Sequence, residues 1–164
     1  MAKKIIVSVE IEEFESMNQL TEEDRSLMSG AIKSTESAYA PYSNFHVGAA
    51  VLLENGEIVI GSNQENVAYP SGLCAERVAL FTAGAHFPNI PIKTIAITAK
   101  SDSFDISEPL APCGACRQVM VEYEKKYMGK IRVILKGETG NIWVVQCVND
   151  ILPFSFSSDK LKSI

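Results

Sequence analysis

Three cysteines and one glutamate stand in this chain where metal chemistry would need them. Cys74-Ala75-Glu76 is followed, 39 positions on from Cys74, by Pro112-Cys113-Gly114-Ala115-Cys116. Zinc takes thiolate sulfur readily, and a catalytic zinc keeps one position open beyond three protein ligands. Cys113 and Cys116, three apart at an expected helix start, put their sulfurs on one side and a turn apart. Cys74 opens a second helix, so the positive ends of two helices would converge on one metal and lower the thiol pKa values. Pro112 suits the residue just ahead of such a helix. Glu76 lies too near Cys74 for a comfortable fourth ligand. It is well placed to hold a metal-bound water and move its proton, the minimum needed to attack an amidine carbon and expel ammonia.

Three thiolates on Zn²⁺ leave a net charge of −1, which makes bound water less acidic than at a neutral-imidazole site. Arg77 and Arg117 stand beside the ligands, and a guanidinium donating to a thiolate would restore the metal's Lewis acidity. The alternative is a structural zinc, which usually has four protein ligands in two close pairs. Here only three cysteines group. Cys147 falls in an apolar strand and reads as core.

The elements that must carry these residues follow from patterning. Residues 3–11 alternate apolar and polar side chains and read as a strand. Thr21-Glu22-Glu23-Asp24 marks a helix start, with a hydroxyl cap and acids in the first turn. Leu27, Met28, Ala31 and Ile32 give that helix an apolar face. Residues 47–53 form a continuous apolar run suited to a strand covered on both faces. Asn55-Gly56 then signals a hairpin, with 58–60 as the return strand. Helices are expected at 74–86 and 113–127, and strands at 94–99, 131–135 and 142–148. Strands alternating with helices imply a layered α/β fold, and the N-terminal strand and hairpin make its central sheet mixed.

Composition bounds the reading. The chain has 164 residues, enough for one domain with its own core, and no repeat or linker divides it. Its 20 acidic residues against 15 basic ones, with no basic run beyond a lysine pair, argue against RNA or DNA as partner. A nucleoside, which carries no phosphate, stays open. No apolar stretch reaches the roughly 20 residues of a membrane span, and the N-terminus lacks a signal-peptide core. The expected location is the cytoplasm, where cysteines serve as ligands or core rather than disulfides.

Taken together the motifs resemble the cytidine deaminases of the small, homotetrameric, zinc-dependent kind. The resemblance runs from about Ser26 to Leu161. It is carried by Tyr42-Ser43-Asn44-Phe45-His46-Val47-Gly48-Ala49-Ala50, Asn63-Gln64-Glu65-Asn66, the two cysteine segments with Arg77 and Arg117, and Ile151-Leu152-Pro153 with Phe156. It implies a single-domain, three-layer α-β-α sandwich, with residues 1–20 an extension to the common core. It implies that Cys74, Cys113 and Cys116 bind zinc and that Glu76 is the proton shuttle. Asn63 and Glu65 would hold the ribose, mainly its 3′-hydroxyl, Phe45 would pack on the nucleoside, and the backbone at Ala75 would meet the pyrimidine carbonyl. Phe156 and Tyr69 would reach into a neighbouring subunit's site. The implied activity is deamination of cytidine and 2′-deoxycytidine in pyrimidine salvage. A related aminohydrolase for a nucleoside antibiotic such as blasticidin S would share the cysteines but need not keep Asn63 and Glu65. A zinc-stabilised binding module is the reading outside catalysis.

Overall fold

A computed structural model describes residues 2–157 and residue 161. One mixed sheet of six strands runs in the order β1-β6-β5-β4-β2-β3. The strands are β1 (Glu12–Phe14), β2 (Phe45–Leu53), β3 (Ile58–Ser62), β4 (Ile92–Ser101), β5 (Arg132–Lys136) and β6 (Ile142–Val145). Only β4 and β5 pair in parallel. Between them runs helix α3 (Gly114–Tyr127), while α1 (Glu22–Ser34) precedes β2 and α2 (Ala75–His86) joins β3 to β4.

Strand residues alternate between two cores, as a pleated ribbon requires. Ala50, Leu52, Ala96 and Ile134 pack on one face with Leu27, Met28 and Ala31 of α1. Ala49, Val51, Ile95, Ile97, Val133 and Leu135 pack on the other with Ala79 and Leu80 of α2 and Met120 and Val121 of α3. The expected three-layer sandwich is therefore present. Asn55-Gly56 turns the β2–β3 hairpin, and Gly56 adopts φ +86°, a conformation that glycine reaches without strain. At Gly61 a Cβ would collide with the backbone of Ala75 and Ala79, so glycine there lets the start of α2 lie close on β3.

The α1 start is as read: Thr21 Oγ1 accepts from the Asp24 amide at 3.1 Å. Three expectations need correction. Residues 3–11 are not a strand; the edge strand is Glu12–Phe14, paired antiparallel from Glu12↔Val144 to Phe14↔Ile142. The ladder cannot extend because β6 ends at Val145 and the chain turns into a short 3₁₀ helix over Val148–Ile151. Ile5 and Ile6 are accordingly exposed. For the same reason the last strand stops short of Val148. Ile32 is also exposed rather than part of the α1 core face, since Leu27, Met28 and Ala31 already span the width that meets the sheet. Among the described residues no helix is long and apolar enough to cross a membrane.

Candidate active site

The N-termini of α2 and α3 meet over the sheet. Cys74 is the residue capping α2, Cys113 caps α3, and Cys116 lies in the first turn of α3. Their three sulfurs all lie within 4.8 Å of one another, and the Cys113 and Cys116 Sγ atoms are 3.5 Å apart. Tetrahedral zinc with Zn–S of about 2.3 Å spaces its sulfurs by about 3.8 Å. The donor set and its spread therefore fit one zinc ion. The hydrogen bond from Cys116 draws the Cys74 thiol down to about 5, helped by Arg77, while the same bond and burial push Cys116 up. A divalent cation would bind the three sulfurs as thiolates and release their protons.

Glu76 is in the first turn of α2, and its side chain is 4 % exposed. Burial pushes its carboxyl above the ordinary value, and the neighbouring Cys74 charge acts in the same direction. A raised carboxyl holds a proton more firmly than an ordinary one, as a group that must take up and return one requires. Cys74, Glu76, Cys113 and Arg77 line a cavity of about 570 Å³, and Phe45, Asn63, Glu65 and Tyr69 line its other side. A hollow of about 380 Å³ adjoins it, sharing Ser43, Glu65, Tyr69 and Gly72.

The two arginines part company. Arg77 brings Nη2 to 3.6 Å from the Cys74 Sγ, and its buried Nε has no partner among the described residues. Arg117 turns away from the sulfurs. Its Nε donates to the Pro112 carbonyl at 2.7 Å and its Nη1 to the Ile151 carbonyl at 3.0 Å, so it fastens the loop ahead of α3 to the C-terminal segment.

On the far side of the cavity, Asn63 follows the end of β3. Its Oδ1 accepts from the Val47 amide at 2.8 Å and its Nδ2 donates to the Phe45 carbonyl at 2.9 Å. One amide hydrogen and one lone pair remain for anything else. The Glu65 carboxylate accepts from the Tyr42 and Ser43 amides and from the Ser43 hydroxyl. That hydroxyl is the chief reason its carboxyl is held below the ordinary value. Phe45 stacks on Phe104, with ring centroids 6.2 Å apart. Ala75 opens α2, where an N–H finds no partner within the helix.

Tyr69 stands at the mouth, 76 % exposed, with its ring edge-on to Tyr42 at 6.0 Å. Phe156 is not part of this lining; it is 73 % exposed, and Gln118 holds its main chain by two bonds of 2.8 and 3.0 Å. Sequence reasoning missed Ser43 and Phe104. Ser43 stands inside the Tyr42-Ser43-Asn44-Phe45 block and needed only a partner, whereas nothing in the β4–α3 loop marks Phe104.

A mixed sheet flanked by helices, with three thiols and a buried carboxyl at two helix starts, defines a zinc hydrolase site. The family model for the cytidine and deoxycytidylate deaminase zinc-binding region matches residues 21–129. The cytidine deaminase of Halalkalibacterium halodurans is 39% identical over 139 residues, covering 82% of this chain and 95% of that protein. That of Sporosarcina psychrophila is 40% identical over 135 residues, covering 82% and 92%. The crystal structure of cytidine deaminase from Burkholderia pseudomallei superposes with a TM-score of 0.71 at 39% identity, covering 84% of this chain and all of that one. The chain belongs to the zinc-dependent cytidine deaminase family.

Proposed function

We propose that this enzyme hydrolyses the exocyclic amino group of cytidine and 2′-deoxycytidine, releasing ammonia and leaving uridine and 2′-deoxyuridine. The observation that carries the reading is the buried Glu76 carboxyl sharing one cavity with the sulfur cluster. Cys74, Cys113 and Cys116 would hold Zn²⁺, which would supply the Lewis acidity that activates a water in the cavity. Glu76 accepts that water's proton and hands it to ring N3 as the water oxygen bonds to C4. Glu76 then carries the second proton of the former water to the amino group, and the C4–N bond breaks with loss of ammonia. Arg77 offsets the thiolate charge at Cys74. The Ala75 backbone faces the pyrimidine carbonyl, Phe45 covers the base, and Asn63 and Glu65 take the sugar.

The assembly belongs to the same reading. Phe156 is fastened by its backbone while its ring faces outward, as suits a side chain that completes the site of a second copy in a homotetramer. Tyr69, exposed at the rim, suits the same use. Residues 1–164 form one domain in which 1–20 extend the common core, and the added strand β1 shields the β6 edge of the sheet. Three thiols kept reduced for a metal suit the cytoplasm and a role in pyrimidine salvage. The test is loss of ultraviolet absorbance from cytidine, run beside 2′-deoxycytidine, free cytosine and CMP, with zinc measured in the same sample. Turnover of both nucleosides supports the proposal, and zinc-loaded protein that releases no ammonia from either overturns it.

A further inference from the structure

The segment over residues 40–45 is shaped by one hydroxyl. Ser43 Oγ donates to Glu65 Oε1 at 2.5 Å and accepts from the Phe45 amide at 3.1 Å. The Ser43 and Tyr42 amides donate to the other oxygen, Oε2, at 3.3 and 2.9 Å. Between Ser43 and Phe45 the chain passes through Asn44 at φ +52°, a left-handed conformation that asparagine tolerates better than most residues. The Asn44 amide is tied to the Ala40 carbonyl at 3.0 Å. A serine hydroxyl has one hydrogen to give, and here it goes to Glu65.

A carboxylate offers about four acceptor positions. In Glu65, Oε2 already receives two amides and Oε1 receives the serine hydroxyl. One position is left, on Oε1, and Glu65 lines the cavity. Without Ser43 the carboxylate would gain a second free position and could turn about its last torsion.

We propose that Ser43 is a positioning residue: its hydroxyl aims Glu65 so that a single acceptor position faces one sugar hydroxyl, and ties that aim to the backbone of Phe45. This rests on the cytidine deaminase reading above and extends it to a residue that touches the carboxylate rather than the reacting atoms. On that reading the hydroxyl is the sugar's 3′, and Ser43 governs how well Glu65 meets it.

Steady-state kinetics of wild type, Ser43→Ala and Ser43→Thr on cytidine, 2′-deoxycytidine and 3′-deoxycytidine test it, with zinc content and melting temperature recorded for each. A hydrogen bond to a charged group sets the scale, so Ser43→Ala should raise KM for cytidine and 2′-deoxycytidine about tenfold or more, with kcat little changed. On 3′-deoxycytidine the variant and wild type should agree within about threefold, because the hydroxyl that Glu65 would receive is gone. Ser43→Thr, which keeps the hydroxyl, should restore KM. Equal KM values on cytidine overturn the proposal, as does the same loss on all three substrates, which would mark a general packing role. Should Ser43→Ala fail to fold, Ser43→Cys, a weaker donor of similar size, must show the same pattern or the proposal falls. A wild type that leaves every cytidine compound intact overturns the underlying reading instead, and is told apart by the absence of ammonia.

Discussion

Glu124 offers a perturbation whose size follows from the structure. It lies on α3, the helix that begins with Cys113 and Cys116, and it is 8 % exposed. One oxygen, Oε2, accepts the Ile131 amide at 2.9 Å and the Val148 amide at 3.0 Å. The other, Oε1, faces the Cys147 thiol at 3.3 Å, a thiol that burial keeps protonated above its ordinary value. This carboxylate therefore moors α3 to the chain entering β5 and the chain leaving β6. Glu124→Ala leaves the Ile131 amide without a partner, while the Val148 amide keeps the Ile131 carbonyl at 3.1 Å. Losing the Ile131 bond to a charged acceptor costs about 1.5–3 kcal/mol and the shared Val148 bond adds about 0.5–1 kcal/mol, so the loss is about 2–4 kcal/mol. Glu124→Gln can place its carbonyl oxygen where Oε2 was and keep both amides, losing mainly the charge assistance, about 1–2 kcal/mol. For a chain of this size the alanine variant should melt on the order of 10 °C lower. Urea unfolding followed by the fluorescence of Trp143, the only tryptophan, would report both variants at fixed protein and zinc concentration. Since Glu124 does not line the cavity, turnover per zinc should be unchanged well below the melting temperature. Alanine costing no more than glutamine, or less than about 1 kcal/mol, would refute the mooring argument.

Glu76→Gln should retain zinc and fold while kcat drops roughly 10²–10⁴-fold, the usual contribution of a general acid–base group; turnover within tenfold of wild type would remove its role as proton carrier. After a chelator strips the metal, iodoacetamide near neutral pH should label Cys74 ahead of Cys116 and Cys147, since Cys74 is drawn down to about 5 and the other two are pushed up. Peptide mass mapping that finds Cys147 labelled first would contradict that order. Glu65 has its folded value held below its ordinary 4.5, so its contribution to stability is present above 4.5 and fades as the pH falls through the lower folded value. Melting curves of Glu65→Gln should consequently lose less on acidification from 4.5 downward than wild type does; equal losses would mean that the Ser43 and Tyr42 bonds add no stability.

The site was legible because its signals are short-range. Cys74-x-Glu76 and Cys113-x-x-Cys116 each need only one helix turn to bring their groups together, and helix starts can be read from neighbouring residues. The hairpin at Asn55-Gly56 and the two-sided burial of 47–53 were local in the same sense. What stayed hidden depends on partners far along the chain. Alternation in residues 3–11 says that a strand could form, but only the four-residue length of β6 decides how much of it finds a ladder. Arg117 looks like a thiolate partner from its position beside Cys116, yet its guanidinium is claimed by Ile151, 34 residues on. Ser43 carries no hint of Glu65, 22 residues away, until β2 and β3 lie side by side. Ile32 fits the helical stripe by spacing alone, and only the width of the sheet beneath α1 leaves it exposed.

The central claim is that three thiolates leave zinc one position open, within reach of the Glu76 carboxyl. X-ray absorption at the zinc edge of the loaded protein counts those donors directly. The account predicts three sulfurs at about 2.3 Å and one oxygen at about 2.0 Å contributed by solvent. Four sulfurs, or three sulfurs with an imidazole nitrogen, would mean a closed structural site and would contradict it.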